Sequence, residues 1–232
     1  MRQIQNGVSR RRGRPQIRSD EDTRAVIIAA ATKEFQANGY AGTCMGAVAE
    51  RADLSTKTLY RLIPTKAELF ASVVSDRIGR FILAFDQETA AALDLATALE
   101  HILIAYATLT LDEETIAINR LVIGECGRFP EIAAAFYEAA IRRTSNAIES
   151  WLRRQCDRGL IRLEDPRAAT GMLRGMMIME PQRAVMLGRG APPDAAQIAR
   201  RARLCAKLFL DGCREAGPDL ERDVRSTASE EL

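Results

Sequence analysis

The residues "DLSTKTLYRLIPTK" at 53–66 contain a short helix with a clear start and stop. Ser55 is a side-chain N-cap, and Pro64 ends the helix because proline lacks an amide hydrogen and clashes with the preceding turn. At about 100° per residue, one side of this helix is aliphatic, with Leu59, Leu62 and Ile63. The other side carries hydrogen-bonding groups, a set that a helix covering only a core would not need: Thr56, Lys57, Thr58, Tyr60 and Arg61.

Two helices precede this one, and a longer helix follows it. Ser19, with Asp22 three residues later, resembles a capping box, and Gly39 stands at a C′ position. Thr43 is the predicted N-cap of the second helix, "CMGAVAERA". Thr65 is the predicted cap of the long helix. The pattern therefore predicts three short helices in a bundle and a fourth helix that leaves it.

A short helix that follows another through a tight turn is the helix-turn-helix arrangement. Its aliphatic side would anchor it, and its cationic side would enter the major groove of DNA. The DNA contacts predicted here are Ser55, Thr56, Lys57, Thr58, Tyr60 and Arg61. Periodicity alone leaves a purely structural three-helix domain equally open.

Composition excludes several classes of protein. The 232 residues are 47% hydrophobic and 28% charged, as in soluble globular chains. No run approaches the roughly 18 apolar residues of a membrane span, and no secretory signal is visible, so a cytoplasmic protein without membrane contact is expected. One histidine and five scattered cysteines predict neither a metal site nor a cofactor. The absence of a phosphate-binding loop or nucleophile motif argues against an enzyme.

The net charge of +2 conceals a basic N-terminus. Residues 1–18 contain six arginines and no acid, and Arg11, Arg12 and Arg14 surround a glycine and a proline. This composition suits an extended arm in the minor groove, although a solvated terminus is also possible. The predicted organisation is a disordered basic arm at 1–18, a DNA-binding domain at 19–65, a helical effector-binding and dimerisation domain at 66–217 and a flexible acidic tail at 218–232.

A family resemblance appears in "ATKEFQANGYAGTCMGAVAERADLSTKTLYRLIPTKAELF" at 31–70. In the order and type of its residues, this segment resembles the DNA-binding domain of the TetR family of transcriptional regulators. The resemblance implies an all-α fold with a C-terminal helical bundle that dimerises and holds an effector. It also implies DNA contacts from Thr43, Thr56, Lys57, Tyr60 and Lys66, those of Tyr60 and Lys66 mainly to phosphates. Residues 120–139 and 151–169 are similar, more faintly, to the AefR-type subgroup.

Two positions depart from the family pattern. Asp53 stands where the family usually has glycine in the turn, and Ile63 stands where it usually has phenylalanine. Aspartate tolerates left-handed backbone geometry and isoleucine keeps its position apolar, so DNA binding is still expected.

The remaining chain, about 86–217, is predicted to be helical. Gly171 and Gly175, four residues apart, would allow close approach of a partner helix. The last helix, about 194–216, carries one stripe that includes Ile198, Ala202, Cys205, Phe209 and Gly212. A two-fold dimer through these helices and simple packing within one chain are both open.

Aromatic residues and methionines are the candidates for an effector pocket, since pockets are mostly apolar and methionine adapts to irregular ligands. The same residues also fill ordinary cores. The candidates are Phe81, Phe85, His101, Tyr106, Phe136, Trp151, Met172, Met176 and Met179. The function expected is a homodimeric repressor released from a pseudo-palindromic double-stranded DNA operator by a small, mainly apolar effector. A constitutive or architectural DNA-binding regulator without a ligand is the alternative.

Overall fold

The computed structural model describes residues 18–84 and 93–213, with side chains of the first range as far as Gly79. Within these ranges the chain is all-α, as predicted, and contains no strand. The helices are α1 (Asp20–Gly42), α2 (Met45–Arg51), α3 (Thr56–Leu62), α4 (Lys66–Ala84), α5 (Leu95–Leu111), α6 (Glu113–Glu125), α7 (Pro130–Phe136), α8 (Arg143–Asp157), α9 (Pro166–Met186) and α10 (Ala195–Cys213). A π-helical turn, Tyr137–Arg142, joins α7 to α8.

Most helices begin where a side chain satisfies the first free amides. Ser19 accepts a hydrogen bond from the amide of Asp22, and Ser55 accepts one from that of Thr58. The predicted Thr65 cap of α4 is also confirmed, and Asp165 caps α9 in the same way. The prediction of Thr43 as the N-cap of α2 is wrong, since the Cys44 sulfur accepts from the Ala47 amide instead.

Two backbone positions adopt positive φ in the N-terminal helices. Asp53 has φ 53° in the turn between α2 and α3, so aspartate takes the left-handed conformation that glycine usually supplies there. Gly39 has φ 67° and ψ −178°, which interrupts α1 before its last turn. That combination of angles is accessible essentially only to glycine.

The buried residues form two clusters. The first joins α1–α4 to Ile118 and Val122 of α6, Ile132 of α7 and Ala140 of the π-helical turn. The second lies among α5, α8, α9 and α10. Since α4, α6 and α7 share this cluster with α1–α3, the two parts of the chain have an extensive apolar contact. The boundary predicted at residue 65 stays a prediction.

The stripe predicted for the last helix faces inward. Ile198, Ala202, Cys205 and Phe209 are all buried in the second cluster, where α10 packs mainly on α5. Of the two alternatives left open for this stripe, packing within the chain accounts for these four side chains. Gly171 and Gly175 of α9 face open space instead.

No single helix in the described ranges has the length and apolar character needed to cross a membrane. Helices α5 and α6 reach that length and character only when taken together, and they are bent by 60° where they meet.

Candidate functional site

Helix α3 presents a polar face on an apolar base. Leu59 is fully buried and Leu62 is 5% exposed, so the helix is fixed by its underside. Thr56 and Lys57 are exposed, and Tyr60 is 51% exposed although it is a large aromatic residue. The structure thus brings these three predicted DNA contacts together on one outer face, with a hydroxyl, an ammonium and a phenol available to a ligand.

Three other predicted DNA contacts, on α3 or at its N-cap, have partners within the protein. The Ser55 and Thr58 hydroxyl oxygens lie 2.8 Å apart and complete the N-cap. Arg61 donates two hydrogen bonds to the Asp20 carboxylate, at 2.9 and 2.7 Å. The hydrogen bond from Arg61 lowers the pKa of Asp20 below its usual range. This exposed ion pair holds the start of α1 against α3.

The structure does not place Thr43 and Lys66 on the outer face. Thr43 is only 2% exposed, and its hydroxyl donates to the Gly39 carbonyl oxygen at 2.7 Å. Lys66 Nζ donates to the carbonyl oxygens of Tyr40 and Thr43, at 2.7 and 2.9 Å, and lies 4.5 Å from the centre of the Tyr40 ring. Both residues stabilise the end of α1 in the DNA-free chain, and their assignment as direct DNA contacts stays a prediction. Arg11, Arg12 and Arg14 lie outside the described residues.

A contact between α6 and the end of α1, which we call the Gly39–Glu125 joint, was not anticipated from the sequence. The Glu125 carboxylate, at the end of α6, accepts hydrogen bonds from the amides of Tyr40 and Ala41, at 2.9 and 2.8 Å. These amides become available because Gly39 breaks α1 immediately before them. The Tyr40 hydroxyl donates to Glu131 at 3.3 Å. Burial, reinforced by the charge of Glu131, raises the pKa of Tyr40 to about 12.

A cavity of about 140 Å³ lies among α4, α5, α6, the π-helical turn and its neighbours, and α9. Its wall is mainly apolar, with Val74, Ile78, Leu109, Ile118, Phe136, Ile141 and Ile178. The π-helical turn contributes Ala140 and Ile141, and such turns are frequent at functional sites.

The cavity also carries two arginines in different environments. Arg77 forms ion pairs with both Asp112 and Glu114, so its charge is balanced. Arg174 donates to the hydroxyls of Tyr106, at 2.9 Å, and Ser145, and has no acidic partner among the described residues. Burial raises the pKa of Tyr106, while the adjacent guanidinium opposes that rise.

The predicted pocket residues divide into three groups. Tyr106 and Phe136 line the cavity. His101, expected to be buried or to supply a polar contact, is exposed, and Trp151 belongs to the second core cluster. Met172, Met176 and Met179 do not line this cavity and are exposed by 69%, 36% and 54% on the outside of α9, so their role in ligand binding stays a prediction. Phe85 and the side chain of Phe81 lie outside the described residues.

The polar residues of the cavity were missed because each resembles an ordinary surface residue. Arg77, Asn119, Arg174 and Gln182 come from three separate helices, so no local motif links them. One signal in the sequence pointed to Arg174. The nearest acidic residue in its helix is Glu180, six residues away, so no ion pair at helical spacing is available to it. Glu125 gives no comparable signal, since its partners are backbone amides 84 and 85 residues away.

Two family models match the chain. The model of bacterial regulatory proteins of the tetR family matches residues 27–73, and the model of the AefR-like transcriptional repressor C-terminal domain matches residues 97–212. Curated proteins give no match to the sequence.

Solved structures share this fold over most of the chain. A protein assigned as a TetR-family transcriptional regulator from Mesorhizobium loti is 27% identical, with a TM-score of 0.73 over 84% of this chain and 98% of its own. The flavonoid-responsive regulator FrrA is 25% identical, with a TM-score of 0.70 over 85% and 100%. The transcriptional regulator FadR from Bacillus subtilis, solved with stearoyl-CoA, is 20% identical, with a TM-score of 0.63 over 82% and 99%, and shows the fold alone.

Proposed function

Because this chain belongs to the TetR family of transcriptional regulators, we propose that it is a homodimeric repressor released from its operator by a small effector. The family and the structural neighbours are regulators rather than enzymes. The observation that carries the proposal is the outer face of α3, where Thr56, Lys57 and Tyr60 project from a helix fixed by buried leucines. In this proposal, residues 19–65 bind DNA and residues 66–217 bind the effector and dimerise.

An apolar surface on α9 and α10 supports dimerisation. Met172, Met176 and Met179 project from α9, and Leu204 and Leu208 of α10 are 56% and 57% exposed. The two helices are adjacent, since Arg201 of α10 donates to the Met176 carbonyl oxygen. Exposed apolar clusters of this kind mark interaction surfaces, and a two-fold pair is the commonest arrangement. A dimer would place two α3 helices about 34–36 Å apart, matching successive major grooves.

Charge on this surface should separate the subunits. We expect Leu204→Glu combined with Leu208→Glu to give a particle of the chain mass, 25.6 kDa, because burying two carboxylates without partners is costly. The wild-type chain should sediment at twice that mass. Ile123→Glu is the control, since Ile123 is 65% exposed on α6. A double variant that sediments like the wild type would place the dimer interface elsewhere.

Helix α6 supplies a route from the cavity to the DNA-binding helices. Thr115, Ile118 and Asn119 line the cavity, and Glu125, at the other end of the same helix, holds the backbone after Gly39. An effector that binds one position of α6 better would favour that position. Since Glu125 moves with α6, the orientation of α1 and the bundle that it supports would change too. The flavonoid-responsive and stearoyl-CoA-bound neighbours support an effector-holding role for this fold.

The proposed function is tested by recovering operator DNA. Purified full-length chain would be mixed with sheared genomic DNA at moderate salt, and the bound fragments sequenced. We expect enrichment of a few sites that share a short pseudo-palindrome, with affinity that falls as salt rises because phosphate contacts release counterions. Recovery of fragments at random, or of none, would contradict a sequence-specific regulator.

A further inference from the structure

The charge of Arg174 is the unusual feature of the cavity. Its guanidinium lies partly buried in a mainly apolar wall, and its hydrogen-bond partners among the described residues are neutral hydroxyls, those of Tyr106 and Ser145. Arg77, on the same wall, has two carboxylates. Removing a charge from water without an opposite charge is costly, and a carboxylate is the partner that an arginine holds best.

The volume of the cavity limits the size of the group that can carry this carboxylate. Its volume of about 140 Å³ is close to that of an engineered cavity of roughly 150 Å³ that holds benzene. Ile118, Phe136 and Ile178 offer apolar contact to one ring or a short chain.

We propose that the cavity binds a small, mainly apolar acid whose carboxylate pairs with Arg174 and whose ring or short chain contacts Ile118, Phe136 and Ile178. The inference rests on the effector-responsive function proposed above and names the chemical class of the effector. Tyr106 acts as a positioning residue: its hydroxyl accepts from Nε of Arg174, and its ring centre lies 5.2 Å from the guanidinium carbon. A neutral ligand of the same shape would leave the arginine charge uncompensated.

The test compares acids with their neutral amides. Benzoate and hexanoate, with benzamide and hexanamide as matched probes, would be titrated into the full-length chain by calorimetry and by thermal unfolding. We expect both acids to bind and raise Tm through linkage, and the amides to bind at least roughly tenfold more weakly, because hydrogen bonds to charged groups are the stronger ones. Equal binding of acid and amide, or no binding of either acid, would overturn the proposal.

Variants identify the residue responsible. Arg174→Met should weaken benzoate binding on the order of ten- to a hundredfold, and Arg174→Lys should weaken it less because the charge is kept while the planar fork is lost. Arg153→Met, which removes an exposed arginine of α8 paired with Glu149, is the matched control and should bind benzoate like the wild type. Unchanged benzoate affinity in both Arg174 variants would refute the assignment. If Arg174→Met does not fold, the benzoate affinity of Arg174→Lys decides the outcome.

Binding to the recovered operator DNA would be measured on the same preparations. Operator binding without acid binding would refute only the effector class, whereas loss of operator binding by the wild-type chain would refute the proposed function.

Discussion

Alanine at Lys57 or Tyr60 should lower the affinity for operator DNA on the order of ten- to a hundredfold, because each dimer loses two hydrogen-bonding groups that contribute about 0.5–1.5 kcal/mol each. Both side chains are exposed on α3 and make no contribution to the buried side of the helix. Their replacement should therefore change the free energy of unfolding by less than about 0.5 kcal/mol. Fluorescence anisotropy with a labelled operator measures the affinity, and urea unfolding measures the stability.

Matched controls separate this effect from a general loss of charge or aromatic surface. Tyr137→Ala removes a tyrosine that is 50% exposed, compared with 51% for Tyr60. Arg153→Ala removes an exposed positive charge on α8. Both should bind the operator like the wild type. If all four variants bind equally well, α3 is not the recognition helix.

The salt dependence of Lys57→Ala tells which part of the DNA the lysine contacts. Each lost phosphate contact reduces the slope of log affinity against log salt by about 0.9. A slope reduced by about twice that amount would assign Lys57 to phosphates in both half-sites. An unchanged slope with reduced affinity would assign it to base edges.

Substitution at the Gly39–Glu125 joint should have the largest effect on stability. Gly39→Ala should lower the free energy of unfolding on the order of 2–4 kcal/mol, because an L side chain rarely adopts φ 67° and ψ −178°. In addition, a Cβ there would lie 2.7 Å from Glu125 Oε1. Glu125→Ala should cost about 1–3 kcal/mol, since two amides lose their acceptor. Urea unfolding at a fixed protein concentration measures both values.

The double variant tests whether the two residues act as one joint. Glu125→Ala removes the atoms that a Cβ at position 39 would meet. The double variant should therefore lose about 1 kcal/mol less unfolding free energy than the sum of the two single-variant losses. Gly124→Ala is the control: it lies in α6 beside Glu125, has open space at its Cβ position and should stabilise the helix by up to about 1 kcal/mol. Strict additivity would show that Gly39 and Glu125 contribute separately.

The agreement between sequence and structure is closest where the determinants are local. The caps at Ser19, Ser55, Thr65 and Asp165 act within three residues of themselves, and Pro64 ends α3 by its own chemistry. The N-cap of α2 was predicted wrongly because two neighbouring residues, Thr43 and Cys44, can both accept a hydrogen bond from the first free amides. The Thr43 hydroxyl donates to the Gly39 carbonyl oxygen, and the Cys44 sulfur caps the helix.

Prediction of the effector cavity was weaker because aromatic residues and methionines can lie in a core, in a pocket or on an interface. Periodicity assigns a residue to a side of its helix but does not say which neighbour covers that side. Trp151 is in the core, Phe136 is in the cavity wall and Met172 is on the outer surface. Only the packing of the helices separates these cases.

The sequence by itself determined the helices, their ends and the amphipathic α3 with its exposed Thr56, Lys57 and Tyr60, because these follow from interactions a few residues apart. Tertiary structure alone decided that Lys66 is turned inward and that Glu125 accepts hydrogen bonds from the backbone after Gly39. It also decided that Arg174 lies in a cavity where no described residue gives it an acidic partner. The partners in these contacts lie 23 to 85 residues away. Contacts across such separations depend on how the helices pack, and local patterns carry no record of that packing.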